Sequence, residues 1–419
     1  MTHDLTQVWE TLLINAGSLV GTQAVTSALG FLYWWLAARS FSSQVVGLAS
    51  ASISAMLLLG TMGVMGFGTL LMGRLRRESD QDGPLIASAI ITVSIAGSII
   101  GLLFVGLISW IPSDLNVWSG DIGSVLLFSF SVGLTSMVLV IDQALIGLLW
   151  GSLQLWRNAI FALAKLSILF VISLWITEVS GFTIYLTWML GILISLGFLI
   201  GFAIWKGERI FRYRPKIGLI REIGLDALIH HLLNIALQVP GFSLPVIVTI
   251  VLSARLNAYF YASWMIASFA FVGPIALATV LYAVSSVDAA MLAQKIRFTL
   301  ELSLLIGLLA CGGLLILADQ VLRLFGAEYA EQAAWCLRVL SLAVFPITVK
   351  NLYVAIHRIR NRILDATRWV IVGSFLELLL ATSGGWLAGI VGLSIGWVIA
   401  VFLEGLIMFP TVFRVIRKE

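Results

Sequence analysis

Positive charge is distributed unevenly along this chain, in alternate gaps between long apolar runs. Nineteen of the 25 Lys and Arg residues lie in every second gap or at the C-terminal end. The other six lie in the intervening gaps or inside apolar runs: Arg39, Arg255, Arg323, Arg338, Lys165 and Lys350. Positive charge next to membrane spans stays on the cytoplasmic side. The pattern therefore predicts a multi-pass membrane protein with both termini in the cytoplasm.

The composition agrees with this prediction. Of the 419 residues, 60% are hydrophobic and 11% are charged, whereas about a quarter are charged in soluble domains. A helix needs about 20 apolar residues to cross a bilayer. We predict an all-α integral membrane protein with about twelve transmembrane helices. Their predicted centres are Gly21, Leu58, Gly97, Gly133, Leu169, Ile194, Leu237, Phe269, Gly307, Val344, Leu379 and Val398.

The most basic inner gap, residues 206–223, lies at the midpoint of the chain. We predict a six-helix N-terminal lobe over 1–205, this gap as a basic cytoplasmic linker, and a six-helix C-terminal lobe over 224–419. Similar segments recur across the linker: 51–60 resembles 262–273, and Ala-Arg occurs at 38–39 and at 254–255. An even number of spans makes the two lobes parallel pseudo-repeats, an arrangement found in alternating-access transporters.

The outer gaps are short, which favours transport over catalysis. Membrane glycosyltransferases and polymerases need a sizeable domain outside the membrane, and the longest outer gap covers only about 318–335. The chain has no metal-ligand cluster and no phosphate-binding glycine loop, so we predict neither an enzyme nor a cofactor. Its net charge of +4 reflects orientation and contact with membrane lipids, and we predict no nucleic-acid partner.

Ionisable residues inside spans are functional candidates. Asp142 (next to Gln143) and Lys165 are each eight residues from a predicted inner span end, which places both about 12 Å deep. In the second half, Lys350 (next to Asn351) and Glu377 repeat this layout with exchanged signs. Two buried acid–base pairs are therefore predicted. Each pair has two possible roles. It holds two helices together, or its lysine binds a polyanionic headgroup while its carboxylate takes a proton.

A polar stripe marks the predicted seventh span. Asp226, His230, Asn234 and Gln238 recur every four residues, so they share one helix face. His230 or His231 could titrate near neutral pH beside Asp226, and His230 is the predicted coupling group. Alternatively, these residues lie at the cytoplasmic interface as ordinary snorkelling groups. Asn234 and Gln238 lie deeper and are predicted to line a wet cavity. Glu301 and Glu404 are weaker candidates, because Glu404 has no repeat partner and Glu301 is interfacial.

Three short segments resemble a known family. They are Ala37–Ser42 (AARSFS) leading to Val46-Gly47, Phe67–Leu71 (FGTLL), and Leu322–Tyr329 (LRLFGAEY) followed by Leu337–Leu340 (LRVL). With the length and the two six-helix halves, they resemble the Wzx-type lipid-linked oligosaccharide flippases. These form the polysaccharide-exporting branch of the multidrug/oligosaccharidyl-lipid/polysaccharide (MOP) exporter superfamily.

The resemblance implies a V-shaped cavity between two lobes of a protein in the bacterial inner membrane or an archaeal cell membrane. A polyprenyl-pyrophosphate-linked oligosaccharide would pass through it from the inner to the outer leaflet, driven by an ion gradient. Such a protein would serve polysaccharide or lipopolysaccharide biosynthesis beside the polymerase machinery. Family members use a cationic cavity for the pyrophosphate. Arg39 and Arg255 would attract the headgroup on exit, or are ordinary helix-end charges.

Three rival functions remain at this point. A drug or cation antiporter of the same superfamily usually relies on a buried N-lobe carboxylate, often on span one, and that span has none here. A lipid II flippase usually has two more spans and several cavity arginines. An integral membrane glycosyltransferase or polymerase would require a catalytic outer loop.

Overall fold

The computed structural model describes residues 21–23, 25–75, 82–176, 178–206, 225–287 and 292–417. All regular structure within these ranges is helical. The first helix, α1, covers residues 25–40. The others are α2 Ser43–Gly63, α3 Phe67–Arg74, α4 Asp82–Ile108, a 3₁₀ turn Asp114–Ser119, α5 Ile122–Gly147, α6 Gly151–Trp175, α7 Gly181–Trp205, α8 Leu225–Val251, α9 Ala254–Val287, α10 Leu292–Arg323, α11 Ala327–Ser341, α12 Val344–Ile359 and α13 Ile363–Arg417.

Nine helices in the described ranges are long and apolar enough to cross a membrane. The bent pair α11 and α12 makes a tenth if it is one span. The predicted centres from Leu58 to Leu237 fall in α2 and α4 to α8, and those from Phe269 to Val398 in α9, α10, α12 and α13. This is an all-helical, multi-pass membrane protein. The count of twelve and the side of the termini stay predictions.

The chain forms two compact units, Met1–His231 and Leu232–Glu419, and the division falls within α8. In the first unit, α2, α4 and α5 meet at small residues. A methyl group added at Gly63 or at Gly97 would overlap the hydroxyl of Ser136. This hydroxyl donates to the Gly60 carbonyl at 2.9 Å. Small residues allow such close helix contact in membranes, where no hydrophobic force drives helices together.

The start of α5 has a side-chain cap. The Ser124 hydroxyl and amide donate to Asp121 over 2.6 and 3.0 Å. These two hydrogen bonds hold the pKa of Asp121 below its ordinary value, because they favour the ionised carboxylate. The carboxylate in turn satisfies an amide that the helix itself leaves free.

In the second unit, α13 is a hairpin of two arms. Its 55 residues would extend about 80 Å if straight, far more than a bilayer core of about 30 Å. The backbone leaves the helical conformation at Ala388 and Gly389, where Gly389 has a φ of 60°. The arms then pack so closely that a methyl group at Gly396 would overlap the Leu380 carbonyl. The centres Leu379 and Val398 therefore lie on two antiparallel arms, as predicted for separate spans.

Some predictions fall outside the described residues. Of the basic linker 206–223, only Lys206 is described, and the side chain of Asp226 is not. The predicted lobe boundaries around this linker stay predictions.

Candidate functional site

Lys165 lies in a box of aromatic rings in the first unit. Its ammonium is 3.3 Å from the ring centre of Trp188, 4.6 Å from that of Phe161 and 5.0 Å from that of Tyr33. The side chain is 4% exposed. The negative faces of aromatic rings attract a cation, most strongly where water is excluded. The box therefore surrounds a buried amine, and no carboxylate within the described residues forms an ion pair with it.

Local sequence explains half of this box. Phe161 and Lys165 are four residues apart on α6, so they share one face of the helix. Trp188 comes from α7, and Gly191 one turn later leaves room for Lys165. Tyr33 comes from α1. Its hydroxyl donates to the Ile184 carbonyl at 3.1 Å and lies 2.7 Å from the Thr187 hydroxyl, which orients the ring.

The predicted pair of Asp142 and Lys165 is wrong. Asp142 is paired with Arg157, whose Nη2 is 2.6 Å from Oδ2, and Asn158 also donates to that oxygen at 3.3 Å. The turn between α5 and α6 is centred on Leu149, which has a φ of 59°. At about 1.5 Å per residue along each helix, Asp142 lies about 10 Å from this turn and Lys165 about 24 Å from it. The two side chains are therefore at different depths and do not pair.

The predicted pair of Lys350 and Glu377 is confirmed, and it has a third member. Lys350 Nζ is 2.6 Å from Glu377 Oε1 and 2.8 Å from Glu404 Oε2. Trp397 Nε1 donates to the other Glu377 oxygen at 2.5 Å. All three ionisable side chains are at most 8% exposed.

The hairpin of α13 brings the two carboxylates of this cluster together. Glu377 is on the first arm and Glu404 on the second, where it packs on the bare backbone of Gly373. One ammonium faces two carboxylates, so the cluster has one negative charge too many if both are ionised. A buried excess charge is unfavourable, and a bound proton or cation removes it.

The polar residues predicted to line a cavity are half-buried or exposed. Asn234 accepts a hydrogen bond from Arg358 Nη2 at 2.8 Å, and Gln238 donates to the Asn234 carbonyl at 3.2 Å. Asn351 donates to the Ile347 carbonyl at 2.9 Å. Arg358 also lies 5.9 Å from the Tyr282 ring centre and forms no ion pair within the described residues.

Gln143 and the remaining candidates lie elsewhere. Gln143 packs against Gly68, where any side chain would overlap its amide. Arg39 is exposed at the end of α1. Arg255 lies in the first turn of α9, paired with Glu328, and so belongs to the span after the one predicted. Glu301 is exposed and pairs with Arg297 at 2.8 Å.

His230 is half-buried on α8, four residues before Asn234. Its role, like that of Asp226, stays a prediction.

Comparison with known proteins identifies the fold. No family model and no curated protein matches the chain. Among solved structures, the chain is similar to an inward-facing multidrug resistance MATE-family transporter of the MOP superfamily. The two superpose with a TM-score of 0.72 at 13% sequence identity, and the match covers 94% of this chain and 98% of that one. The lipid II flippase MurJ, in an inward closed conformation, gives 0.71 at 14% identity, covering 94% and 86%.

A third structure is a MOP-superfamily transporter from Pyrococcus furiosus whose binding pocket is described as having reverse polarity. It gives a TM-score of 0.63 at 13% identity, covering 97% of this chain and 95% of that one. At such low identity these likenesses show the fold alone. The chain thus has the same fold as these MOP-superfamily transporters.

Proposed function

We propose that this protein is a transporter that flips a polyprenyl-pyrophosphate-linked oligosaccharide from the inner to the outer leaflet. The observation that supports this most is Lys165, a buried ammonium with no carboxylate partner within the described residues. We further propose twelve spans, both termini in the cytoplasm, and a place in the cytoplasmic membrane.

An unpaired buried cation suits an anionic substrate. Burial of a lone ammonium is unfavourable, so a structural role alone gives no reason to keep a lysine there. A pyrophosphate would supply the missing anion and would form charge-assisted hydrogen bonds with the ammonium. The ring faces of Trp188 and Tyr33 can stabilise the ammonium while the site is empty.

The alternative function is a cation or drug antiporter with the MATE-like fold. Such a protein needs a carboxylate that is free to bind a cationic substrate. In the described part of the first unit, the buried carboxylate of Asp142 is neutralised by Arg157. Within the described part of this unit, Lys165 is a buried basic side chain without a carboxylate partner, which favours an anionic substrate.

The cluster of Lys350, Glu377 and Glu404 is the proposed coupling site. Its second carboxylate can take up and release a proton or a sodium ion, because the lysine neutralises only one of the two. Uptake changes the formal charge of this cluster from −1 to neutral, and this difference lets a gradient drive a conformational change.

Binding of the substrate to purified protein tests this proposal. Tryptophan fluorescence would be titrated with polyprenyl-pyrophosphate oligosaccharide for the wild type, Lys165→Met, and the control Lys206→Met. Lys206 also faces an aromatic ring, at 5.4 Å from the centre of Phe202, but it is exposed. We expect Lys165→Met to bind the substrate about ten-fold more weakly, or worse, which corresponds to the loss of at least one charge-assisted hydrogen bond. Lys206→Met should bind with wild-type affinity.

Equal affinity in Lys165→Met and the wild type would contradict the proposed role of the box. Binding of organic cations in place of the lipid-linked oligosaccharide, abolished by Glu404→Gln, would instead support the antiporter.

A further inference from the structure

A cavity of about 440 Å³ opens in the second unit, and its lining includes no residue of the Lys350 cluster. Its walls are the end of α12, the turn that follows it, and both ends of α13. The volume lies in the range of small-molecule sites, about 300 to 1,000 Å³. The cavity lies on the face where positive charge concentrates, which we propose to be cytoplasmic.

The cavity has an excess of positive charge. Three arginines line it, Arg360, Arg362 and Arg414, together with one carboxylate, that of Asp365. Asp365 pairs with Arg362 at 2.7 Å and so neutralises it. Arg360 and Arg414 are exposed and form no ion pair within the described residues. Two guanidinium groups therefore remain for an anion.

The wall that carries these arginines is held in place by hydrogen bonds. The amides of Arg360 and Arg362 donate to the carbonyls of Ile356 and His357 at 3.0 and 2.8 Å. His357 is 8% exposed, and its Nδ1 lies 2.8 Å from the Tyr353 carbonyl. Only a carbonyl acceptor is available there, so Nδ1 carries the proton and the ring orientation is set. The cavity is thus a built recess at the end of a helix pair.

The exposure of Trp369 indicates that the cavity opens at the membrane surface. Trp369 lines the cavity and is 48% exposed. Tryptophan is enriched where headgroups meet the acyl chains. Basic pockets between transmembrane helices on the cytoplasmic side bind phosphorylated lipid headgroups.

We propose that this cavity binds the phosphate of an anionic phospholipid headgroup. Arg360 and Arg414 contact the phosphate through their planar forks, which match phosphate oxygens. Trp369 contacts the glycerol and upper acyl region. The site is independent of the transported substrate, because its residues belong to neither the lysine box nor the carboxylate cluster.

Native mass spectrometry of the detergent-purified protein tests this proposal. The protein would be titrated with phosphatidylglycerol and, separately, with phosphatidylcholine of the same acyl chains. The variant is Arg360→Gln with Arg414→Gln, and the control is Arg297→Gln, which removes an exposed arginine of α10 that already has a carboxylate partner. We expect the double variant to lose about ten-fold or more in phosphatidylglycerol affinity, and the control to keep wild-type affinity.

Three results would overturn the proposal. One is unchanged phosphatidylglycerol binding by the double variant. Another is equal binding of phosphatidylcholine by the wild type. The third is displacement of bound phosphatidylglycerol by millimolar inorganic phosphate, which would assign the cavity to a soluble phosphate. The single variant Arg414→Gln serves if the double variant fails to fold, since Arg414 is exposed and a partial loss of affinity is then expected.

Discussion

The two buried lysines are expected to respond oppositely when each is replaced by methionine. Within the described residues, three rings surround Lys165 and no carboxylate pairs with it, whereas two carboxylates pair with Lys350. Methionine is an unbranched, flexible side chain one heavy atom shorter than lysine, so it fills most of the same space without charge. The change in stability therefore reports what each ammonium does in the folded protein.

For Lys350→Met, the carboxylates of Glu377 and Glu404 lose their shared partner while both stay buried. Breaking a buried ion pair from one side costs about 3 to 5 kcal/mol. We expect a loss of this size. Further replacement of both glutamates by glutamine removes the stranded charges and should recover most of the loss.

For Lys165→Met, two effects oppose each other. Loss of the cation–π contacts costs about 2 kcal/mol in a desolvated site. Removal of a buried, unpaired charge gains several kcal/mol. We expect stability to be unchanged or higher by about 1 to 3 kcal/mol, with the loss confined to substrate binding.

Equilibrium unfolding in mixed micelles measures both changes. The purified variants would be titrated with dodecyl sulfate and followed by far-ultraviolet circular dichroism. A loss of about 3 kcal/mol or more for Lys165→Met would refute the reasoning, since the ammonium would then be structural. Wild-type stability of Lys350→Met would show that the carboxylate cluster is neutral without its lysine.

Arg157→Gln should destabilise the protein by about 3 to 5 kcal/mol, because it leaves the Asp142 carboxylate buried without its partner. The double variant with Asp142→Asn should regain most of this stability, because the unpaired charge is removed. A double-mutant cycle in the same unfolding assay measures the interaction between the two residues. Gly396→Ala should cost about 1 to 3 kcal/mol, because its methyl group meets backbone of the facing arm, whereas Gly312→Ala meets open space and should be neutral by thermal unfolding. The cap at Asp121 should lose its contribution as pH falls through the lowered pKa of that carboxyl, and Asp121→Asn should show a smaller fall in thermal midpoint than the wild type over this acidic range.

The helices were predictable because their signal is strong. Apolar runs of about 20 residues and the alternating positive charge depend on the bilayer, not on tertiary packing. In the hairpin of α13, the chain turns at Gly389, which has a φ of 60°, and at Gly384 the two arms approach too closely for a side chain. The sequence has no glycine at the break between α11 and α12, and Val344 was therefore predicted as the centre of one span.

The site was predictable only where two residues flank a well-marked turn. Lys350 and Glu377 are on either side of the α12–α13 turn, and their pairing is confirmed. Asp142 and Lys165 were placed from approximate span ends. An error of a few residues at each end, at about 1.5 Å per residue, was enough to pair the wrong cation.

Contacts between distant helices were not visible in the sequence. Glu404 lacked a repeat partner there, and only the hairpin geometry brings it to Lys350. Phe161 could have been found from its four-residue spacing to Lys165. Tyr33 and Trp188 could not, because they come from α1 and α7 and meet Lys165 through packing alone.

Translocation in proteoliposomes tests the central claim most directly. The purified chain would be reconstituted with a fluorescent polyprenyl-pyrophosphate oligosaccharide, and headgroup accessibility at the outer face would be followed with and without a proton or sodium gradient. We predict movement that requires the protein, responds to a gradient, and is lost in Lys165→Met but kept in Lys206→Met. Absence of lipid movement, together with gradient-driven efflux of small organic cations, would contradict the account.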